Sequence, residues 1–105
     1  MDAKCWIAVD GIDPATAEFP ILAEVDGERV VIFKVNEKLC AVQRECPHGD
    51  ADLSLGLIMG DKVKCPQHGF MFRLKDGKGV NIPGLNLKTF EVNTDEGTLK
   101  IAVKP

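Results

Sequence analysis

The sequence predicts an all-β protein, and three observations predict it. Apolar and β-branched residues recur in short runs with strand periodicity, Gly, Asp and Asn turn signals separate the runs, and only PATAEF at 14–19 hints at a helical turn. The chain has 105 residues, the length of one small domain. A chain this long buries roughly 65% of its extended surface. The strands are therefore expected to close into a small antiparallel sandwich or barrel.

In order, KCWIAV (4–9) and ILAEV (21–25) read as the first strands. RVVIFKV (29–35) is a β-branched run, and KLCAVQ (38–43) follows it. Asp26-Gly27 and Asn36-Glu37 stand between these runs as hairpin turns. DKVKC (61–65) and FMFRL (70–74) read as short strands, with KDGKG (75–79) a turn after them. LKTFEV (87–92) and TLKIAV (98–103) alternate, and NTDEG joins them as a third hairpin. The middle of the chain, 44–84, is rich in Gly, Pro and Cys/His and poor in long strands. It reads as a loop-built subdomain on a strand-built base, 1–43 and 85–105, the whole being one domain over 1–105.

Composition narrows the function. Hydrophobic residues make up 45% and charged residues 28%, as in soluble globular proteins. The net charge is −3 and no Lys/Arg cluster stands out, which argues against nucleic acid. No apolar run nears the ~20 residues of a membrane span, and no basic-then-apolar leader opens the sequence. The expectation is a soluble, cytoplasmic monomer. GLIMG (56–60) is not followed by a helix, so it is no dinucleotide-binding turn.

The four cysteines divide into two kinds. Cys5 and Cys40 lie inside apolar strand patterns and read as core packing, as do Trp6, Phe33 and Phe90. Cys46 and Cys65 are paired with the only histidines, as C-x-H-x16-C-x2-H: Cys46, His48, Cys65 and His68. Two sulfurs and two nitrogens complete a tetrahedral zinc site. Each pair is mixed, however, and each sits in a Pro/Gly loop, CPHG or CPQHG. Two similar loops, each giving one sulfur and one nitrogen, suit a binuclear iron cluster better. Asp50 and Asp52 beside the first pair read as a solvated face, with a docking rim as the alternative.

With these motifs the chain resembles the Rieske [2Fe–2S] family. The likeness extends to Gly49, LSLG (53–56), Gly60, CPQHG (65–69) and Phe72, and is dense over 40–92. The resemblance implies one [2Fe–2S] cluster. Cys46 and Cys65 would bind the inner iron, His48 and His68 the outer iron near the surface. Respiratory members of the family carry an extra cysteine in each loop, a membrane anchor, and Ser and Tyr hydroxyls just after the second His. Here Phe70 and Phe72 fall at those last positions, and the chain has no Tyr. Hydrogen bonds to the cluster sulfurs stabilise the reduced state, so their loss implies a potential near the low end of roughly −150 to +300 mV.

Oxygenase members add a mononuclear iron held by two further histidines and a carboxylate. Both histidines of this chain are taken by the cluster. The resemblance therefore implies a carrier rather than an enzyme: a soluble ferredoxin moving one electron from a flavin-containing NAD(P)H reductase to a ring-hydroxylating dioxygenase. Docking is expected at a rim of Pro47, Gly49, Phe70 and Pro83-Gly84. Two other readings stay open, the small Rieske subunit of assimilatory nitrite reductase and a structural zinc module.

Overall fold

The computed structural model describes residues 5–9, 12–13, 16–47, 49, 51–67, 69–82, 84–95 and 97–103. Among these the strands are β1 (Cys5–Ala8), β2 (Ile21–Val25), β3 (Glu28–Val35), β4 (Lys38–Gln43), β5 (Leu57–Met59), β6 (Lys62–Lys64), β7 (Met71–Arg73), β8 (Thr89–Asp95) and β9 (Thr98–Val103). A short 3-10 turn, Leu53–Leu55, precedes β5. Pro14 and Ala15 of the expected helical turn lie outside the described residues. Beside them the Thr16 and Ala17 N–H groups both donate to the Asp13 carbonyl, at 3.1 and 2.8 Å, and close one turn.

The turn chemistry sets the hairpins. Asp26 and Gly27 have φ of 51° and 77°, and Asn36 and Glu37 have 50° and 68°. Two successive positive φ values are the type I′ turn, whose twist matches that of the flanking strands. β2, β3 and β4 thus fold into a meander, with Ile32 opposite Ile21 on one side and Ala41 on the other. β8 joins β4 and pairs with β9, and β1 pairs with β9. The result is a six-stranded antiparallel sheet in the order β1-β9-β8-β4-β3-β2 and a three-stranded antiparallel sheet β5-β6-β7. The all-β expectation holds. β5 was not expected as a strand: LIM is short and exposed along its whole length, so no inside/outside alternation marks it.

Two apolar clusters organise the interior. Ile21, Val25, Val30, Ile32, Ala41, Phe90, Leu99 and Ile101 fill the hollow of the six-stranded sheet. Val31, Phe33 and Val42 point the other way, and pack with Leu53, Val63, Phe72, Leu74 and Leu87. β3 and β4 are therefore a wall between two cores. This explains why residues 30–33 are buried without a break, since both faces of the strand are covered.

One expectation needs correction here. Trp6 is 43% exposed rather than buried. β1 is an edge strand on which side chains alternate, and Ile7, not Trp6, packs against the hollow of the sheet. Phe33 and Phe90, by contrast, are core residues. Cys40 is half-buried against the second cluster, and burial pushes its thiol pKa up, with Lys38 opposing. The Cys5 side chain lies outside what the structure describes.

Candidate metal centre

Cys46 follows the isolated bridge Glu45–Asp52, and Cys65 follows β6. Their two loops close in the same way. The Cys46 N–H donates to the Ala51 carbonyl at 2.8 Å, and the Cys65 N–H donates to the Phe70 carbonyl at 2.7 Å. Each bond spans five residues and turns Cys-Pro-…-His-Gly into a closed loop. His48 falls between the ends of the first loop in sequence and His68 between the ends of the second; both lie outside the described residues, as does Asp50. At the loop tips, Gln67 Oε1 comes within 3.7 Å of where a Cβ on Gly49 would stand, so the two loops lie against each other.

Cys46 and Cys65 are 0% and 1% exposed and share one apolar cluster with Phe72, Val63 and Leu53. Both are thiols rather than halves of a disulfide. Soft sulfur donors buried in one apolar shell from which water is excluded fit an iron–sulfur centre. The outer half of the site is built differently, from exposed Pro47, Pro66 and Gln67.

Different devices hold the two loop necks. Across the first, Arg44 Nη2 donates to Asp52 Oδ2 at 2.9 Å, and Arg44 Nε donates to both carboxylate oxygens at 3.2 Å. Asp52 Oδ1 also accepts from the Ser54 N–H and hydroxyl, at 3.0 and 2.6 Å, capping the 3-10 turn. Arg44 first, and the Ser54 groups after it, hold the Asp52 carboxyl well below the usual carboxylate range against the opposing effect of burial. The Arg44 pKa is raised in turn, chiefly by its bond to Asp52. Asp52 is thus a structural clamp rather than a freely solvated side chain. Behind it the Gln43 carboxamide donates to the Glu45 carbonyl at 2.7 Å and accepts from the Lys88 N–H at 2.7 Å, tying the first loop to the approach to β8.

The second neck is held by Asn81, which accepts from the Met71 N–H at 2.8 Å and donates to the Gly69 carbonyl at 3.2 Å. Gly69 has a φ of +71°, a left-handed conformation costly for side-chain-bearing residues, and one that follows His68 directly. Between the loops, the glycine of LSLG serves packing: a Cβ at Gly56 would stand 2.5 Å from the Lys64 carbonyl oxygen and 3.0 Å from Val63 Cγ2.

The model of the Rieske [2Fe–2S] domain matches residues 5–91. The chain belongs to the Rieske family. Its cofactor is accordingly one [2Fe–2S] cluster, and the zinc reading falls away. Ferredoxin CarAc of Metapseudomonas resinovorans is 34% identical over 74 residues, covering 70% of this chain and 69% of that protein. The 3-phenylpropionate/cinnamic acid dioxygenase ferredoxin subunit of Escherichia coli K12 is also 34% identical over 74 residues, covering 69% of this chain and 70% of that one. A 59-residue stretch is 41% identical to cholesterol 7-desaturase nvd of Xenopus laevis, and spans only 13% of that protein. Among solved structures, a complex of reduced oxygenase and oxidized ferredoxin in carbazole 1,9a-dioxygenase contains a chain that matches with a TM-score of 0.72 at 27% identity, covering 83% of this chain and 93% of that one. A provisionally named NADH-dependent nitrite reductase small subunit from Mycobacterium tuberculosis matches with a TM-score of 0.84 at 21% identity over 97% of both chains, a likeness of fold. Among Rieske proteins, this chain is of the ferredoxin type, an electron-transfer component.

Proposed function

We propose that this protein is the mobile carrier of an oxygenase system, taking one electron from a flavin-containing NAD(P)H reductase and delivering it to a ring-hydroxylating dioxygenase. The observation that carries the reading is the pair of similarly closed loops, Cys46–Ala51 and Cys65–Phe70, whose two buried thiols belong to one apolar cluster. In this reading Cys46 and Cys65 hold the inner iron, and His48 and His68 the outer iron. When bound, the cluster supplies a one-electron couple at the loop tips. The chain does the rest. Leu53, Val63 and Phe72 exclude water from the sulfur side, and the two clamped necks limit how far the loops shift between oxidation states. Phe70 and Phe72 carry no hydroxyl, which supports a potential at the low end of the Rieske range of roughly −150 to +300 mV. The exposed Pro47 and Gly49 and half-buried Phe70 suit a small, transient redox contact of less than ~1,200 Å².

Residues 44–84 then form the cluster-bearing subdomain, and 1–43 with 85–105 the base. No helix among the described residues is long and apolar enough to cross a membrane. The proposed carrier is cytoplasmic and monomeric. A second reading, the small subunit of an assimilatory nitrite reductase, draws on the full-length fold match to such a subunit. Stopped-flow mixing separates the two. Protein reduced by NADH and a catalytic amount of flavoprotein reductase should be reoxidised by a ring-hydroxylating oxygenase, and should elute as a monomer on gel filtration. Stable co-elution with a nitrite reductase catalytic subunit, with no transfer to any oxygenase, would replace the carrier reading.

A further inference from the structure

Asn81 lies outside the strands, on the segment that follows the KDGKG turn, and reaches back ten and twelve residues along the chain. Its Oδ1 accepts from the Met71 N–H at 2.8 Å and its Nδ2 donates to the Gly69 carbonyl at 3.2 Å. The two bonds bracket Phe70, whose own carbonyl accepts from the Cys65 N–H at 2.7 Å. The next carbonyl, that of Met71, accepts from the Val80 N–H at 2.8 Å. Every one of these backbone groups at the exit of the second loop is therefore fixed, two of them by one neutral carboxamide that donates to the Gly69 carbonyl and accepts from the Met71 N–H. Asp lacks the donor and Gln is one methylene longer.

The bracket matters because of what it holds. Gly69 sits at φ +71° directly after His68, in a conformation open to glycine but not enforced by it. We propose that Asn81 is a positioning residue for the redox centre: it fixes the Gly69–Phe70 peptide, the step that follows the ligand position His68 in the sequence. The inference rests on the assignment of His68 as an iron ligand. It goes beyond that assignment by naming a residue outside both motifs that controls how the ligand is presented. Asn86 provides an internal control. It stands on the same segment, and its Oδ1 accepts from the Gly79 N–H at 3.4 Å, a bond within that segment.

The test compares Asn81→Ala, Asn81→Asp and Asn86→Ala with the wild type, all as cluster-bearing protein. The readouts are the EPR g-values of the reduced form, the midpoint potential, and the rate of cluster loss to excess chelator. For Asn81→Ala the expected result is shifted g-values and cluster loss faster by roughly 5- to 150-fold, the span that two neutral hydrogen bonds command. Asn81→Asp keeps the acceptor for Met71 but sets a carboxylate against the Gly69 carbonyl. It should retain more cluster than the alanine variant, with a lowered potential and shifted g-values. Asn86→Ala should match the wild type in g-values and potential. If Asn81→Ala fails to assemble a cluster, the near-isosteric Asn81→Asp decides alone. Unmoved g-values and potential in Asn81→Asp would overturn the proposal and leave the ligand assignment standing. Absence of a mixed His/Cys-ligated EPR signal in the wild type would overturn both.

Discussion

Arg44 and Asp52 close the neck of the first loop through two guanidinium nitrogens, Nη2 at 2.9 Å and Nε at 3.2 Å, and no other ion pair of the described residues spans either loop. Asp52 is held well below the usual carboxylate range, so its contribution is complete above that range and is lost as pH falls through its depressed folded-state value. Acid should therefore loosen the first loop while the neutral Asn81 bracket of the second stays intact. We expect Asp52→Asn to be less stable than wild type at pH 7, with the gap narrowing in strong acid as the wild-type carboxylate protonates. Unfolding midpoints measured from neutrality down to strongly acidic pH will show the narrowing; a constant gap would remove the ion pair as its cause.

The His-Gly step of each loop makes an internal comparison. A Cβ on Gly49 would meet nothing closer than Gln67 Oε1 at 3.7 Å, an ordinary contact, and Gly49→Ala should leave stability and colour nearly unchanged. Gly69→Ala must place a side chain at φ +71° and should cost about 1 kcal/mol, the left-handed penalty less the entropy gained by removing a glycine. Gly56→Ala drives a Cβ against the Lys64 carbonyl and should cost about 1–3 kcal/mol. Urea denaturation of the three variants should return the order Gly49, Gly69, Gly56.

Glu37 occupies the second positive-φ position of a type I′ turn, at 68°, where glycine is favoured. Glu37→Gly relieves about 1–2 kcal/mol of left-handed strain and gives back about 0.5–1 kcal/mol in backbone entropy. The net expectation is a gain of about 0.5–1 kcal/mol, far from the loops and without effect on the visible spectrum. Loss of stability in this variant would show that the Glu37 side chain stabilises the turn by a contact of its own.

The cluster assignment makes its own demand. Purified anaerobically, the protein should be red-brown, with iron and acid-labile sulfide in equal amounts. Cys46→Ser, Cys65→Ser, His48→Ala and His68→Ala should each lose the colour, since the chain has only two histidines to offer. Retention of a full visible spectrum by either histidine variant would remove that histidine from the ligand set.

Much of this was legible in the sequence, for physical reasons that differ by element. The hairpin at Asn36-Glu37 could be read because turn residues between β-branched runs act locally, and the Cys/His spacing because both loops are short and continuous. Trp6 was misread because composition alone does not say which side of an edge strand faces the interior. β5 was missed because an exposed Leu-Ile-Met carries no alternation. Asp52 had a local signal that could have been used: an Asp two residues before Ser54 is a capping pattern. Asn81 had none, because its partners lie ten and twelve residues away and are backbone groups, which any sequence provides.

Because β3 sends Val30 and Ile32 into one core and Val31 and Phe33 into the other, neither core can melt while its neighbour persists. The chromophore then becomes a built-in thermometer for the whole molecule. On heating, bleaching of the visible band and collapse of the far-ultraviolet β signal should trace one sigmoid. A substitution such as Ile32→Val, on the face of β3 turned away from the sulfurs, should lower the temperature at which the colour fades.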